Sequence, residues 1–166
     1  MITHDAQEMA NALPDGGALL GIDLGTKTLG LALCDAGWRF ATALRTLPRG
    51  KFGKDAVALV ALICDRDIQG VVMGLPRNMD GSEGPRAQAT RAYARNLSQA
   101  VELPTLMWDE RWSTTSAERD MIGQDMSRRK RATRIDAHAA AIILQSAIDA
   151  MTREQKEELG NDATRD

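Results

Sequence analysis

The feature that most restricts this chain is Leu19 to Asp35, "LLGIDLGTKTLGLALCD", in which two apolar runs flank a short turn that begins with glycine. Runs of this kind pair as adjacent strands, and the brief separation favours an antiparallel hairpin. Side chains alternate along a strand, so Leu20, Ile22 and Leu24 point to one side and Leu19, Gly21 and Asp23 to the other. Both sides are otherwise apolar or small, which leaves Asp23 as a carboxylate where burial costs several kcal/mol without compensation. It either caps the amides of the Gly25 turn or faces a cation.

The rest of the chain extends the pattern. "WRFATALRTL" is a third strand. "KDAVALVALICDRD" carries Val57, Leu59, Val60 and Ile63 at helical spacing and leads into the buried-type strand "GVVMGLP". Residues 86 to 102 form a second helix with Tyr93, Leu97 and Val101 on one face, and "PTLMWDER" is the next strand. "STTSAERDMIG" opens with hydroxyl residues, Thr115 and Glu118 having the spacing of a capping box, and a last helix runs from Ile135 through Met151. The order β-β-β-α-β-α-β-α-α predicts an α/β fold with a mixed five-stranded sheet covered by helices on both faces. Residues 1–17 are expected to be a mobile or loosely helical extension, 18–151 the folded domain and 152–166 a polar tail.

With 166 residues the chain supplies one such domain and not two lobes. A net charge of -2 neither suggests nor excludes a polyanionic partner, so local charge must decide. Cys34 and Cys64 lie in apolar stretches without a zinc-type spacing and are expected to be reduced core residues. No basic, apolar leader opens the chain and no apolar run is long enough for a membrane span, so a cytoplasmic protein with no membrane partner is expected.

Two further acidic positions accompany Asp23. Asp109 and Glu110 end a strand at the tip that faces the ligand crevice of an open α/β sheet, and alternation lets only one of them share a given side. Asp136, at the expected start of the last helix, shares a face with Ala140, Ile143 and Ala147. Alone, each has a plain structural explanation as a turn cap, a solvated strand end or a first-turn acid. Together, converging carboxylates repel unless divalent ions lie between them, and hard oxygen donors select Mg²⁺ or Mn²⁺. Two ions roughly 4 Å apart activate water and stabilise the leaving oxygen in phosphodiester hydrolysis.

"GIDLGTKTLGLA", "VVMGLPRNMDGSEG", "DERWSTTSAE" and "RIDAHAAAIILQ", in this order, resemble the YqgF (RuvX) family of RNase H-like proteins, described as Holliday junction resolvases and as nucleases for the 5′ end of pre-16S ribosomal RNA. The resemblance spans about Ala18 to Ala150. It implies an RNase H-like three-layer fold, a metal-dependent site with Asp23, Glu110 and Asp136 as catalytic and metal-holding acids, and Asp109 as a further candidate. It also implies a nucleic-acid partner, structured RNA being favoured over a four-way DNA junction, for a monomer or homodimer. The family commonly has arginine where this chain has Thr28.

Basic residues surround these motifs. Lys27 follows the first strand, Arg77 lies in the glycine-rich loop with Asn78 and Asp80, and Arg111 adjoins the acidic pair. Arg128, Arg129, Lys130, Arg131 and Arg134 directly precede Asp136. A cationic segment beside an acidic centre attracts a polyanion, with salt-dependent affinity. His138 points away from the face of Asp136, and Trp108 and Trp112 are expected to pack. Two other functions fit parts of the pattern. "DLGTKTLG" also looks like the phosphate loop of the actin, hexokinase and Hsp70 superfamily, which binds ATP between two lobes, and a non-catalytic RNA-binding module would keep the same fold.

Overall fold

The computed structural model describes the backbone of residues 1–113 and 128–162; side chains at 128–135, 154–156, 158–159 and 161–162 lie outside the description. Strands β1 (Ile2–Thr3), β2 (Ala18–Leu24), β3 (Thr28–Cys34), β4 (Ala41–Pro48), β5 (Ile68–Leu75) and β6 (Thr105–Asp109) form one sheet in the order β1-β6-β5-β2-β3-β4. Helices α1 (Ala6–Ala12), α2 (Phe52–Asp65), α3 (Pro85–Val101) and α4 (Arg128–Asp162) cover it, and a 3-10 turn, Glu110–Trp112, follows β6.

The tight connection at Gly25, whose amide bonds the Thr28 carbonyl at 2.9 Å, folds β2 against β3 antiparallel, and β4 pairs with β3 the same way. Crossovers through α2 and α3 return β5 and β6 parallel to β2 and to each other, as connections of that length require. The sheet is therefore mixed and its two faces carry separate cores. Leu20, Ile22 and Leu24 pack with Leu59, Leu62, Ile63, Tyr93 and Leu97 of α2 and α3. Leu19, Val72, Leu106 and Trp108 pack with Ala140, Ile143, Leu144 and Ala147 of α4.

Several expectations are corrected. The N-terminal residues belong to the fold: β1 pairs parallel with Thr105 and Leu106 as a sixth strand, and Asp5 caps α1 by accepting from the amides of Gln7 and Glu8. Met9 and Ala10 of α1 are fully buried against the α4 side, so apolar burial packs onto the domain a segment expected to be a mobile or loosely helical extension. Helix α4 begins seven residues before Ile135, since Arg, Lys and Ala propagate a helix well, and it runs on to Asp162 through most of the expected polar tail. On α2 the packed face is Leu59, Leu62 and Ile63, while Val57 and Val60 are exposed. Cys34 is buried, which pushes its thiol up to about 11, but Cys64 is exposed. The expected capping box at Thr115 and Glu118 lies outside the described residues. Among the described residues no helix is long and apolar enough to cross a membrane.

Candidate active site

Asp23 is 1% exposed on the α4 side of the central strand β2. Its neighbours on that face are glycines. Gly21 precedes it by two residues, Gly30 is its cross-strand partner in β3, and Gly74 follows the Ile22–Met73 pair in the register with β5. A Cβ at Gly30 would stand 2.0 Å from the Asp136 carbonyl oxygen; one at Gly74 would stand 2.6 Å from Ile143 Cδ1 and 2.8 Å from Glu110 Oε1. At Gly21 it would meet Leu144 Cβ at 2.9 Å and the Ala140 carbonyl at 3.1 Å. At Gly30 the clash is with backbone and no side chain fits unless α4 moves, whereas at Gly74 it is with the ends of two side chains. The glycines thus form a floor around Asp23 onto which α4 and Glu110 close, and directly opposed positions on paired strands are only about 5 Å apart.

Asp136 reaches this floor from inside α4, more than two turns past Arg128, so helix-start amides do not serve it as its position near Ile135 had suggested. Its Oδ2 instead accepts a hydrogen bond from the Thr28 hydroxyl at the start of β3. Thr28, noted in the sequence only as a departure from the family, is therefore part of the site. Its signal was available only once α4 had been laid over the β2–β3 hairpin.

The ambiguity between Asp109 and Glu110 resolves by parity. Trp108 faces α4 and donates its indole N–H to Ser146 Oγ, so Asp109, beside Leu75, faces the α2–α3 side, away from Asp23. There Arg111 grips it with Nη2 at 2.6 Å from Oδ2 and Nε near both oxygens, and Arg77 Nη1 lies 3.7 Å away. Burial alone would push the Asp109 carboxyl up, but hydrogen bonds and charge from Arg111, with Arg77 behind it, outweigh burial and hold it below the usual carboxylate range. Asp109 also caps the 3-10 turn by accepting the Arg111 amide. That turn carries Glu110 back over Gly74 on the Asp23 side. The structure places Asp23, Glu110 and Asp136 on the α4 side of the sheet and turns Asp109 to the other side.

The loop after β5 is held by its own polar groups. Asn78 and Asp80 both bond Ser82, and Gly81 takes a positive φ of 87° that other residues adopt with strain. Arg77 pairs with Glu83 at 3.5 Å, Arg91 binds Glu83 with Nε at 2.8 Å from Oε1, and Arg91 Nη1 lies 2.8 Å from His4 Nε2. A cleft of about 640 Å³ opens between this loop, the start of α3 and the 3-10 turn, with Arg77, Arg86, Arg111 and Glu110 among its walls. Lys27 is exposed on the β2–β3 turn. Arg128, Arg129, Lys130, Arg131 and Arg134 fall on the first turns of α4, and their side chains lie outside the described residues. Trp108 is buried, whereas Trp112 is 58% exposed and meets Trp108 edge-on, ring centroids 5.1 Å apart.

Among the described residues no three acidic, histidine or cysteine side chains are drawn tightly enough to enclose an ion as they stand. The donor chemistry nevertheless suits a hard divalent cation, because Asp23, Glu110 and Asp136 are carboxylates carried by three different elements on the same side of the sheet.

Fold and site together define an RNase H-like α/β protein with an acidic centre on its central strand. The chain belongs to the RuvX family, whose model, described as "RuvX: Holliday junction resolvase", matches residues 17–150. Among similar proteins, one from Novosphingobium aromaticivorans is 60% identical over 151 residues, 91% of this chain and 97% of the relative, and carries the name "Putative pre-16S rRNA nuclease". One from Sphingopyxis alaskensis, with the same name, is 60% identical over 153 residues, 92% of this chain and 100% of the relative. Thermus thermophilus RuvC, solved in complex with Holliday junction substrate, aligns with a TM-score of 0.50 and 14% identity over 82% of this chain and 96% of that one, a likeness of fold.

Proposed function

We propose that this RuvX-family nuclease is a metal-dependent endonuclease of structured RNA, processing the 5′ end of pre-16S ribosomal RNA. The observation that carries the reading is the glycine floor around Asp23, over which Glu110 and Asp136 lie. Asp23, Glu110 and Asp136 would hold Mg²⁺ or Mn²⁺. When bound, such ions supply a water of lowered pKa and offset charge on the leaving oxygen. The chain's own residues do the rest. Buried Asp23 fixes the depth of the centre, and the Thr28 hydroxyl restrains the Asp136 carboxylate. Glu110, on a turn held by the Asp109–Arg111 pair, is presented at the mouth of the cleft. The basic first turns of α4 and exposed Lys27 lower the energy of an approaching polyanion.

The names of the 60% identical relatives favour ribosomal RNA, and the family description favours a four-way DNA junction. Incubation of the chain with a precursor 16S fragment beside such a junction, with and without Mn²⁺, decides. We expect the RNA to be cut only with metal present. Cleavage of the junction alone would reassign the substrate, and cleavage of neither would defeat the nuclease proposal.

A further inference from the structure

Three guanidinium groups line the cleft beside Glu110, and they are not equivalent. Arg111 is spent on Asp109, with Nη2–Oδ2 at 2.6 Å and both Asp109 oxygens within reach of Nε. Arg77 lies between Asp109 at 3.7 Å and Glu83 at 3.5 Å. Turning either arginine toward a phosphate would loosen its hold on Asp109, a carboxylate only 3% exposed, and a buried charge stripped of its partners costs more than one solvated phosphate contact returns. Arg86, exposed in the first turn of α3 and bordering the same cleft, has no ion pair among the described residues. Exposed Met79 on the opposite loop, 90% accessible, offers a polarisable thioether to a base.

We propose that this cleft seats the single-stranded stretch flanking the cleaved bond, with Arg86 as its phosphate-contacting residue and Arg77 and Arg111 as wall braces. This reassigns two arginines that the sequence had marked for nucleic acid, and it rests on the nuclease reading above. Because Arg86 carries no structural ion pair, it can exchange solvent for phosphate without unbuilding the loop. The released counterions then register as salt dependence.

The test is fluorescence anisotropy of a labelled, unstructured oligoribonucleotide with the full chain in EDTA across a salt series, so that hydrolysis plays no part. Arg86→Ala is expected to weaken binding about three- to tenfold at low salt and to reduce the slope of log affinity against log salt by about 0.7. Arg86→Lys should keep most of the slope. Lys54→Ala, an exposed cation on α2 away from the cleft, should leave it unchanged, and Arg111→Gln should lower the melting temperature. The proposal is overturned if Arg86→Ala keeps the wild-type slope, if Lys54→Ala loses as much, or if the wild-type chain does not bind. A chain that binds through Arg86 yet cuts nothing with Mn²⁺ would instead defeat the nuclease reading, and with it the placement beside a cleaved bond, while keeping Arg86 as the phosphate contact of this cleft.

Discussion

The Thr28 hydroxyl donates a hydrogen bond to the Asp136 carboxylate across 108 positions of sequence, tying helix α4 to the hairpin that carries Asp23. Thr28→Val keeps the shape and removes the donor. Cleavage should fall about tenfold, equivalent to about 1.4 kcal/mol, with a higher Mn²⁺ requirement, while Thr28→Ser stays near wild type. Equal loss in both variants would show that the methyl packing, and not the hydrogen bond, matters.

Gly30 and Gly74 should respond differently to alanine. At Gly30 the added carbon would meet backbone, the Asp136 carbonyl at 2.0 Å, so α4 must shift and stability should drop by about 1–3 kcal/mol. At Gly74 it would meet the ends of Ile143 and Glu110, which can turn aside. Gly74→Ala should therefore fold with less loss yet cleave poorly. Urea denaturation beside cleavage rates separates the two effects.

The Asp109–Arg111 pair sets an acid limit on stability. Because the folded carboxyl titrates below its unfolded value, the unfolded chain takes up the proton first as pH falls. The pair's contribution is complete above about pH 5 and is lost as pH falls through about 4 toward the folded pKa. Asp109→Asn should lower stability at pH 7 by about 1–3 kcal/mol and flatten this part of the stability–pH curve. An unchanged curve would mean that the pair does not stabilise the fold.

Residues 1–12 should be required for full stability. Their removal exposes the surface covered by fully buried Met9 and Ala10 and takes away the β1 pairing on β6. Loss of about 2–4 kcal/mol in chemical denaturation is expected, from apolar burial alone. A truncated chain as stable as the whole would contradict the role assigned to α1.

The hairpin, the βαβαβ order and the parity of Asp23 were legible because apolar periodicity is local and strong there. The N-terminal strand and helix were not, since two paired residues and one buried Met–Ala step lie below any periodic window. At the site, Asp23 stood out as a charge in an apolar strand. Glu110 could be told from Asp109 only when Trp108 was seen to face α4. The surroundings of the arginines were illegible for a similar reason: charge is visible in sequence, but which carboxylate pairs with it, Glu83 or Asp109 here, is decided in three dimensions. Gly21, Gly30 and Gly74, scattered over 54 positions, revealed their shared purpose only through the sheet register.

The most direct measurement compares Asp23→Asn with Asp109→Asn in Mn²⁺-dependent cleavage of a structured precursor 16S fragment, each variant's folding being checked by circular dichroism. The account predicts that Asp23→Asn keeps the fold and loses at least a hundredfold in rate, the scale of removing a metal-holding carboxylate or its support. Asp109→Asn should lose stability while retaining cleavage at low temperature. A folded Asp23→Asn chain that cuts as fast as wild type would contradict it.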